Sequence, residues 1–275
     1  MSGFFLDLPQ RGAKPRERGL THVIDRGLSL AQVDGMIEVA GDAVDIVKLG
    51  WGTAVVTQNL EQKLARYAAH GIPVVLGGTL TELAIAQQRI DGLIEWLNDL
   101  GLRHVEVSDG TIELPHARKL ALIERLAAEG FTVLSEVGSK DADTIMAPYV
   151  WVEQIERELE AGAWKVITEA RESGTAGIYR ADGEVRMGLI DEIVHAISAE
   201  RLLFEAPQRV QQVWFLKQFG LDVNLGNIPP DDVLSLETLR RGLRSDTAET
   251  ALPADAGGKA GPGGSARPAP ERTEE

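Results

Sequence analysis

The amino-acid sequence predicts an α/β fold, a single (β/α)8 TIM barrel with a disordered C-terminal tail, and three observations lead there. Eight short runs rich in β-branched residues alternate with eight longer stretches whose apolar residues recur at three- and four-residue spacing. Each strand-helix unit is roughly 28 residues long, so eight of them match the about 250 residues of a typical closed parallel barrel. The first strand is followed by Asp25-Arg26-Gly27-Leu28, where a doubly wound dinucleotide-binding sheet would carry G-x-G-x-x-G.

The strands are expected at THVID from Thr21, VDIVKL from Val44, PVVL from Pro73, HVEVSD from His104, TVLSE from Thr132, KVITEAR from Lys165, LLFE from Leu202 and VNL from Val223. Between and after them, helical periodicity covers Leu30 to Val39, Leu60 to His70, Leu83 to Leu100, Ala117 to Glu129, Val152 to Ala161, Leu189 to Ile197, Val210 to Phe219 and Val233 to Leu243. Ser29 and Asp231 are suited to capping helix starts, and Gly71, Gly101, Gly130, Gly162 and Gly220 to ending helices. Residues 1–19, with Arg11, Lys14, Arg16, Arg18 and two prolines, read as an irregular lead-in able to lie across one end of the domain. The barrel is expected over residues 20–246. From Thr247 to Glu275 the chain is rich in Ala, Gly, Pro and charge, lacks aromatics, and is expected to be disordered because it cannot bury enough apolar surface to offset its ordering entropy.

Composition narrows the function. The chain has 275 residues, no cysteine, and 42 acidic against 28 basic residues, a net charge of −14. That balance argues against nucleic acid or an anionic membrane as partner. No apolar run approaches the roughly 20 residues of a membrane span, and no secretory signal is evident, so a cytoplasmic protein is expected.

Barrel active sites gather at the C-terminal ends of the strands. Those ends carry Asp25, Lys48, Gly77-Gly78, Glu106 with Ser108 and Asp109, Glu136, Glu169 with Arg171, Glu205 and Asn224. So many polar groups at one mouth are costly to bury without a ligand; a ring of self-satisfied ion pairs is the alternative. Glu136, Glu169 and Glu205, with Asp25 and Asp109 as further candidates, are hard oxygen donors suited to Mg2+. Zinc is disfavoured by the absence of cysteine and by scattered histidines, of which only His104, on a strand, attracts interest. Lys48, Lys140 and Arg171 supply positive charge, and Ser173-Gly174 lets backbone amides approach an anion. Lys165 begins its strand and belongs at the barrel's bottom, away from chemistry. Trp96, Trp151, Trp164 and Trp214 lie in or beside outer helices, where they either pack on the barrel or form a homo-oligomer interface.

Seven segments carry a family resemblance. They are Lys48-Leu-Gly-Trp-Gly-Thr53, Glu106-Val-Ser-Asp-Gly-Thr111, Ser135-Glu-Val-Gly138, Glu169-Ala-Arg-Glu-Ser-Gly174, Phe204-Glu-Ala-Pro-Gln208, Val223-Asn-Leu-Gly-Asn-Ile228 and Ser235-Leu-Glu-Thr-Leu-Arg-Arg-Gly-Leu-Arg244. In this order, from about Gly19 to Thr247, the chain resembles the phosphosulfolactate synthase family. The resemblance implies a barrel enzyme, a carbon-sulfur lyase, that adds sulfite to C3 of phosphoenolpyruvate with Mg2+, giving 2-phospho-3-sulfolactate, as in the coenzyme M and sulfolactate pathways. It implies Lys140 or Lys48 as proton donor to C2, a phosphate site at Asn224, Gly226 and Asn227 with Arg171 reaching across, and the carboxylates as metal ligands. The family's fifth-strand motif continues with two lysines, whereas here Ser139 precedes Lys140. Two other roles fit the same motifs: a protective, non-catalytic barrel like the plant heat-stress-associated proteins, and a related lyase acting on another enolpyruvyl or enolate substrate.

Overall fold

The computed structural model describes residues 5–138, 146–171 and 173–252. Its elements in chain order are β1 Thr21–Asp25, α1 Leu30–Ala40, β2 Ile46–Leu49, α2 Thr53–Val56, α3 Leu60–Ala69, β3 Val74–Leu76, α4 Gly78–Ala86, α5 Ile90–Asp99, β4 His104–Val107, α6 His116–Ala128, β5 Thr132–Val137, α7 Pro148–Glu160, β6 Lys165–Thr168, α8 Met187–Ala196, β7 Leu202–Glu205, α9 Arg209–Phe219, β8 Leu225–Ile228 and α10 Val233–Arg240. Each strand pairs in parallel with the next, and β8 pairs with β1 to close the barrel. No helix among the described residues is long and apolar enough to cross a membrane.

Local chemistry explains several boundaries. Ser29 accepts from the amide of Gln32, whose side chain accepts in return from the Ser29 amide, so α1 starts on a capping box. Asp231 caps nothing: it lies within a short 3-10 turn, and α10 has no side-chain cap. The single helix expected from Leu83 to Leu100 is two. Gln87-Gln88-Arg89 interrupts the apolar stripe, and Gln88 takes a left-handed conformation (φ 56°) that ends α4 before α5 begins.

The strands alternate between two apolar environments. Leu20, Ile46, Val75, Leu134, Ile167 and Leu203 fill the barrel interior, while Val23, Val47, Val105, Val133, Val166 and Phe204 join the larger core between sheet and helices. Side chains two residues apart share a face of a strand. The residues two beyond Ile46, Leu134, Ile167 and Leu203 are Lys48, Glu136, Glu169 and Glu205, so the same pleat that packs the apolar plug delivers these groups to the mouth above it.

The eighth strand lies further along the chain than VNL. It begins at Leu225, and against β1 its register slips between Thr21↔Leu225 and Val23↔Ile228, an irregularity that falls at Gly226-Asn227. Asn224 is therefore below the strand, accepting from the Leu20 amide at 3.0 Å and donating to the carbonyls of Glu200 (3.1 Å) and Leu202 (2.9 Å).

The lead-in lies across the barrel's N-terminal end. Arg11 bonds Glu237 and the Gly19 carbonyl, Lys14 the Gly41 carbonyl, and Arg16 Asp45. Lys165 donates there to the carbonyls of Glu17 and Glu200, at the bottom of the barrel. At the other end of the chain, order extends past the expected start of the tail: Thr247 is buried, its hydroxyl donates to the Leu239 carbonyl at 2.7 Å, and a short turn covers Ala248–Thr250. Residues 253–275 lie outside the described residues.

Candidate active site

The strand ends enclose a cavity of about 140 Å3 lined by Ile24, Lys48, Gly50, Trp51, Gly77, Gly78, Thr79, Glu106, Glu136, Glu169, Arg171, Glu205 and Asn227. A wider hollow of about 880 Å3 opens beneath the lead-in, but its cations Lys14 and Arg16 are already engaged with the Gly41 carbonyl and Asp45.

Lys48 is the centre of the charge arrangement. Its ammonium lies 3.3 Å from Glu106 Oε2 and 3.2 Å from Glu205 Oε1, with all three side chains buried. Main-chain donors hold the carboxylates: Gly78 N–H binds Glu106 Oε1 at 2.6 Å, Ala170 N–H binds Glu205 Oε2 at 3.0 Å, and Arg171 N–H binds Glu169 Oε1. Gly78 has to be glycine, because a Cβ there would overlap the Ser108 side chain and crowd Glu106 Oε1. Burial alone would lower the Lys48 pKa, but Glu106, Glu205, Glu136 and Glu169 outweigh it and hold the ammonium well above the usual lysine value. Lys48 is thus a fixed positive charge in this arrangement rather than a ready proton donor.

Four residues other than glycine have positive φ among the described residues, and three of them, Trp51 (54°), Arg171 (57°) and Asn227 (52°), line this cavity. Strain of this kind persists where the surrounding structure overrides it, commonly at ligand sites. Trp51 is 54% exposed at the rim and Arg26 lies over its ring, 5.5 Å from the centroid.

The structure divides the residues expected from sequence. Lys48, Glu136, Glu169, Glu205, Arg171 and Asn227 line the cavity. Asp25 does not. It follows Ile24 and so faces the helices, where its oxygens accept from Gly27 and Leu28 amides, Lys63 and the Tyr67 hydroxyl. Asp109 instead pairs with buried Lys119 at 3.0 Å behind β5. The loop after β6 turns toward α9: the Ser173 and Gly174 carbonyls accept from Gln208 and Gln211, and the Ser173 hydroxyl meets Thr175, so of the Arg171-to-Gly174 anion site only Arg171 lines the mouth. Gly226 sits deeper in the barrel, where a Cβ would strike Leu203 and crowd His22. Asn224 closes the bottom, as described. Lys140, with Ser139, lies outside the described residues.

Glu106 stood among the strand-end residues but not among the expected ligands; its symmetry with Glu205 about Lys48 appears only in three dimensions. Trp51 and the first turn of α4 at Gly78-Thr79 were marked only by their glycine-rich surroundings. His104 is not near the site: it begins β4 and meets Trp164 edge to face, ring centroids 6.3 Å apart. The interior histidine is His22, whose Nδ1 faces the Asn227 N–H at 3.4 Å; burial and Lys48 keep its pKa well below the ordinary value, so it is neutral. Trp151 is buried in the core, Trp214 packs edge to face on Phe215, and the partly buried Trp96 and Trp164 sit against the two apolar clusters.

Glu205 pays electrostatically for its place. Burial raises its pKa most, Lys48 opposes, and Glu136 and Glu106 raise it further, so it is pushed up from 4.5 to about 7. A carboxylate raised in the fold is destabilising when ionised, so its penalty is full above pH 7 and fades as pH falls toward 4.5. Glu205→Gln is therefore expected to be more stable than the wild type by up to about 3 kcal/mol at pH 8. That advantage shrinks toward zero near pH 4.5 in denaturant melts across the range, and a pH-independent difference would contradict the assignment. The difference between the two proteins cancels the opposite contribution of His22, which both share.

Among the described residues, four glutamates face one lysine and one arginine in this cavity. That excess of buried negative charge and the all-oxygen donor set fit a hard divalent cation. Among the described residues, no three histidine, cysteine or carboxylate groups converge closely enough to form a metal site by themselves. Glu136, Glu169 and Glu205 would hold such an ion only with water or substrate oxygens completing its coordination, the usual manner of Mg2+.

Comparisons with known proteins identify the family of the chain. The family model for (2R)-phospho-3-sulfolactate synthase matches residues 9–246. The phosphosulfolactate synthase of Bacillus subtilis (strain 168) is 44% identical over 250 residues, covering 90% of this chain and 99% of the relative. That of Methanothermobacter thermautotrophicus is 40% identical over 252 residues, covering 90% and 98%. Among solved structures, 3-hexulose-6-phosphate synthase from Salmonella typhimurium aligns with a TM-score of 0.50 at 16% identity, over 84% of this chain and 93% of that one, a likeness of fold alone. A closed barrel with this charged mouth, matched along nearly its whole length by these synthases, belongs to the phosphosulfolactate synthase family of carbon-sulfur lyases.

Proposed function

We propose that this protein adds sulfite to C3 of phosphoenolpyruvate, giving 2-phospho-3-sulfolactate, with Mg2+ as cofactor. The observation that carries the reading is the buried cluster of Glu106, Glu136, Glu169 and Glu205 around Lys48 in a chain of this family.

The sulfur lone pair of sulfite forms the new bond to the methylene carbon. The C2–C3 π pair moves toward C2 and the carboxylate, and C2 then takes a proton. Negative charge grows on the carboxylate in a protein already at −14. Mg2+ bound through Glu136, Glu169 and Glu205 would supply Lewis-acid stabilisation of that charge. Lys48 contributes a preorganised positive charge at the floor of the mouth, which needs no reorganisation as the reaction proceeds. Arg171 and Asn227, which line the cavity, would bind anionic oxygens of phosphate and carboxylate. Trp51 and Ile24 contribute apolar surface to the cavity lining. Proton delivery to C2 is assigned to Lys140, which follows β5 in the sequence and lies outside the described residues.

The test is incubation with phosphoenolpyruvate, sulfite and Mg2+, with the sulfonate product followed by mass spectrometry. Product supports the reading. Metal-dependent phosphoenolpyruvate binding without sulfonate would replace it with a lyase for another enolate substrate, and absence of binding would leave the protective, non-catalytic role.

A further inference from the structure

Of the buried ionic networks that the reaction above leaves unused, one grips the strand that carries Glu136. Lys119, on α6, is fully buried. Its ammonium has three donors and meets three acceptors: Glu158 Oε1 on α7 at 2.8 Å, Asp109 Oδ1 after β4 at 3.0 Å, and the main-chain carbonyl of Glu136 on β5 at 2.6 Å. His116 Nε2 lies 3.2 Å from the same Glu158 oxygen. Burying an ion pair seldom adds net stability over apolar residues of the same shape, so stability alone is a weak reason for this lysine. What the network does achieve is geometric. A donor of fixed position holds the Glu136 peptide from the helix side, and its carboxylate enters the mouth from the opposite side of the same residue.

The next turn of chain is equally constrained. Gly138 has φ 129°, and a Cβ there would overlap the Trp151 ring and the Glu169 Cβ. The end of β5 is thus wedged between α7 and β6 while Lys119 pulls on its carbonyl.

We infer that Lys119 is a positioning residue: by holding the Glu136 carbonyl to Glu158 and Asp109, it sets where the Glu136 carboxylate stands in the mouth. The inference rests on the proposed reading of Glu136 as a group that acts at the site.

The experiment replaces the buried pair by apolar residues, Lys119→Met with Glu158→Leu, which removes both fully buried charges together and leaves only Asp109, one-quarter exposed and so open to solvation, without its cation. Three quantities are measured: thermal midpoint, the kinetics of sulfonate formation with Mg2+ varied, and hydrogen exchange of the peptide covering 132–138. The expected result is a midpoint near that of the wild type, kcat lowered about thirtyfold or more, KM for phosphoenolpyruvate within about threefold, and exchange at the β5 end at least about tenfold faster. A merely structural pair would leave kcat and exchange unchanged once stability is matched, and that outcome overturns the inference. If the double variant does not fold, the isosteric Glu158→Gln takes its place, with kcat expected to fall about threefold to tenfold at unchanged KM; an unchanged kcat overturns the inference here too. If the wild type forms no sulfonate, the functional reading fails on that result alone, and the exchange of the β5 peptide still decides whether Lys119 orders this strand end.

Discussion

Replacing Lys48 by methionine is expected to lower kcat/KM for phosphoenolpyruvate about a thousandfold, the largest effect of any single substitution in the mouth. Two costs combine. Removing one preorganised electrostatic donor typically lowers kcat a hundred- to a thousandfold. The change also leaves Glu106 and Glu205, which face the ammonium at 3.3 and 3.2 Å, buried without their counter-charge. Breaking a buried pair in this way costs about 3–5 kcal/mol of stability, and protonation of Glu205 relieves part of it. The variant should therefore unfold at lower denaturant than the wild type at pH 8, with the gap narrowing at pH 6. Steady-state kinetics and urea melts at both pH values test this. A variant with activity within tenfold of the wild type would remove Lys48 from the chemistry and leave it a structural counter-ion.

Stripping divalent metal is expected to have a comparable effect. In chelator, sulfonate formation should fall at least about a thousandfold and return on addition of Mg2+, because Lys48 and Arg171 are then left to offset both the mouth glutamates and the substrate anions. At an effective dielectric near 20, each close like-charge contact costs about 4 kcal/mol, so two or three uncompensated contacts suffice to prevent productive binding. Glu136→Gln and Glu169→Gln should each raise the Mg2+ concentration for half-maximal rate at least about tenfold. An undiminished rate in metal-free buffer would sink the mechanism. Normal Mg2+ dependence in both variants would instead move the metal to other residues.

Much of the fold was legible because it depends on local pattern. Alternating strand and helix periodicities reported the eight units, and turn glycines marked their ends. The misplacements have physical causes of their own. One helix became α4 and α5 because Gln88 takes a left-handed turn in a position where glycine or asparagine would have announced it. The eighth strand moved by two residues because its register against β1 includes an irregularity that no single-strand pattern reveals.

The site was legible in outline and wrong in detail for one reason. Polar residues at strand ends are visible in sequence, but which way each points depends on strand parity, barrel tilt and the neighbour it meets. Lys48 and Asp25 both lie near the C-terminal ends of strands. Lys48 follows the interior Ile46 by two residues and enters the mouth, whereas Asp25 follows the interior Ile24 by one and is claimed by Lys63 and Tyr67 on α3. Asp109 was likewise taken by Lys119, and Ser173 with Gly174 by the first turn of α9.

The sequence by itself determined that this chain makes a barrel with a charged mouth and resembles sulfonate-forming lyases, because periodicity, residue type and motif order are properties of neighbouring positions. Only the tertiary structure decided that Glu106, Glu136, Glu169 and Glu205 surround Lys48 while Asp25 and Asp109 pair with lysines on the helices. Those partnerships join residues as far apart as Lys48 and Glu205, and they exist only once the eight strands close and bring their inward faces within a few ångströms.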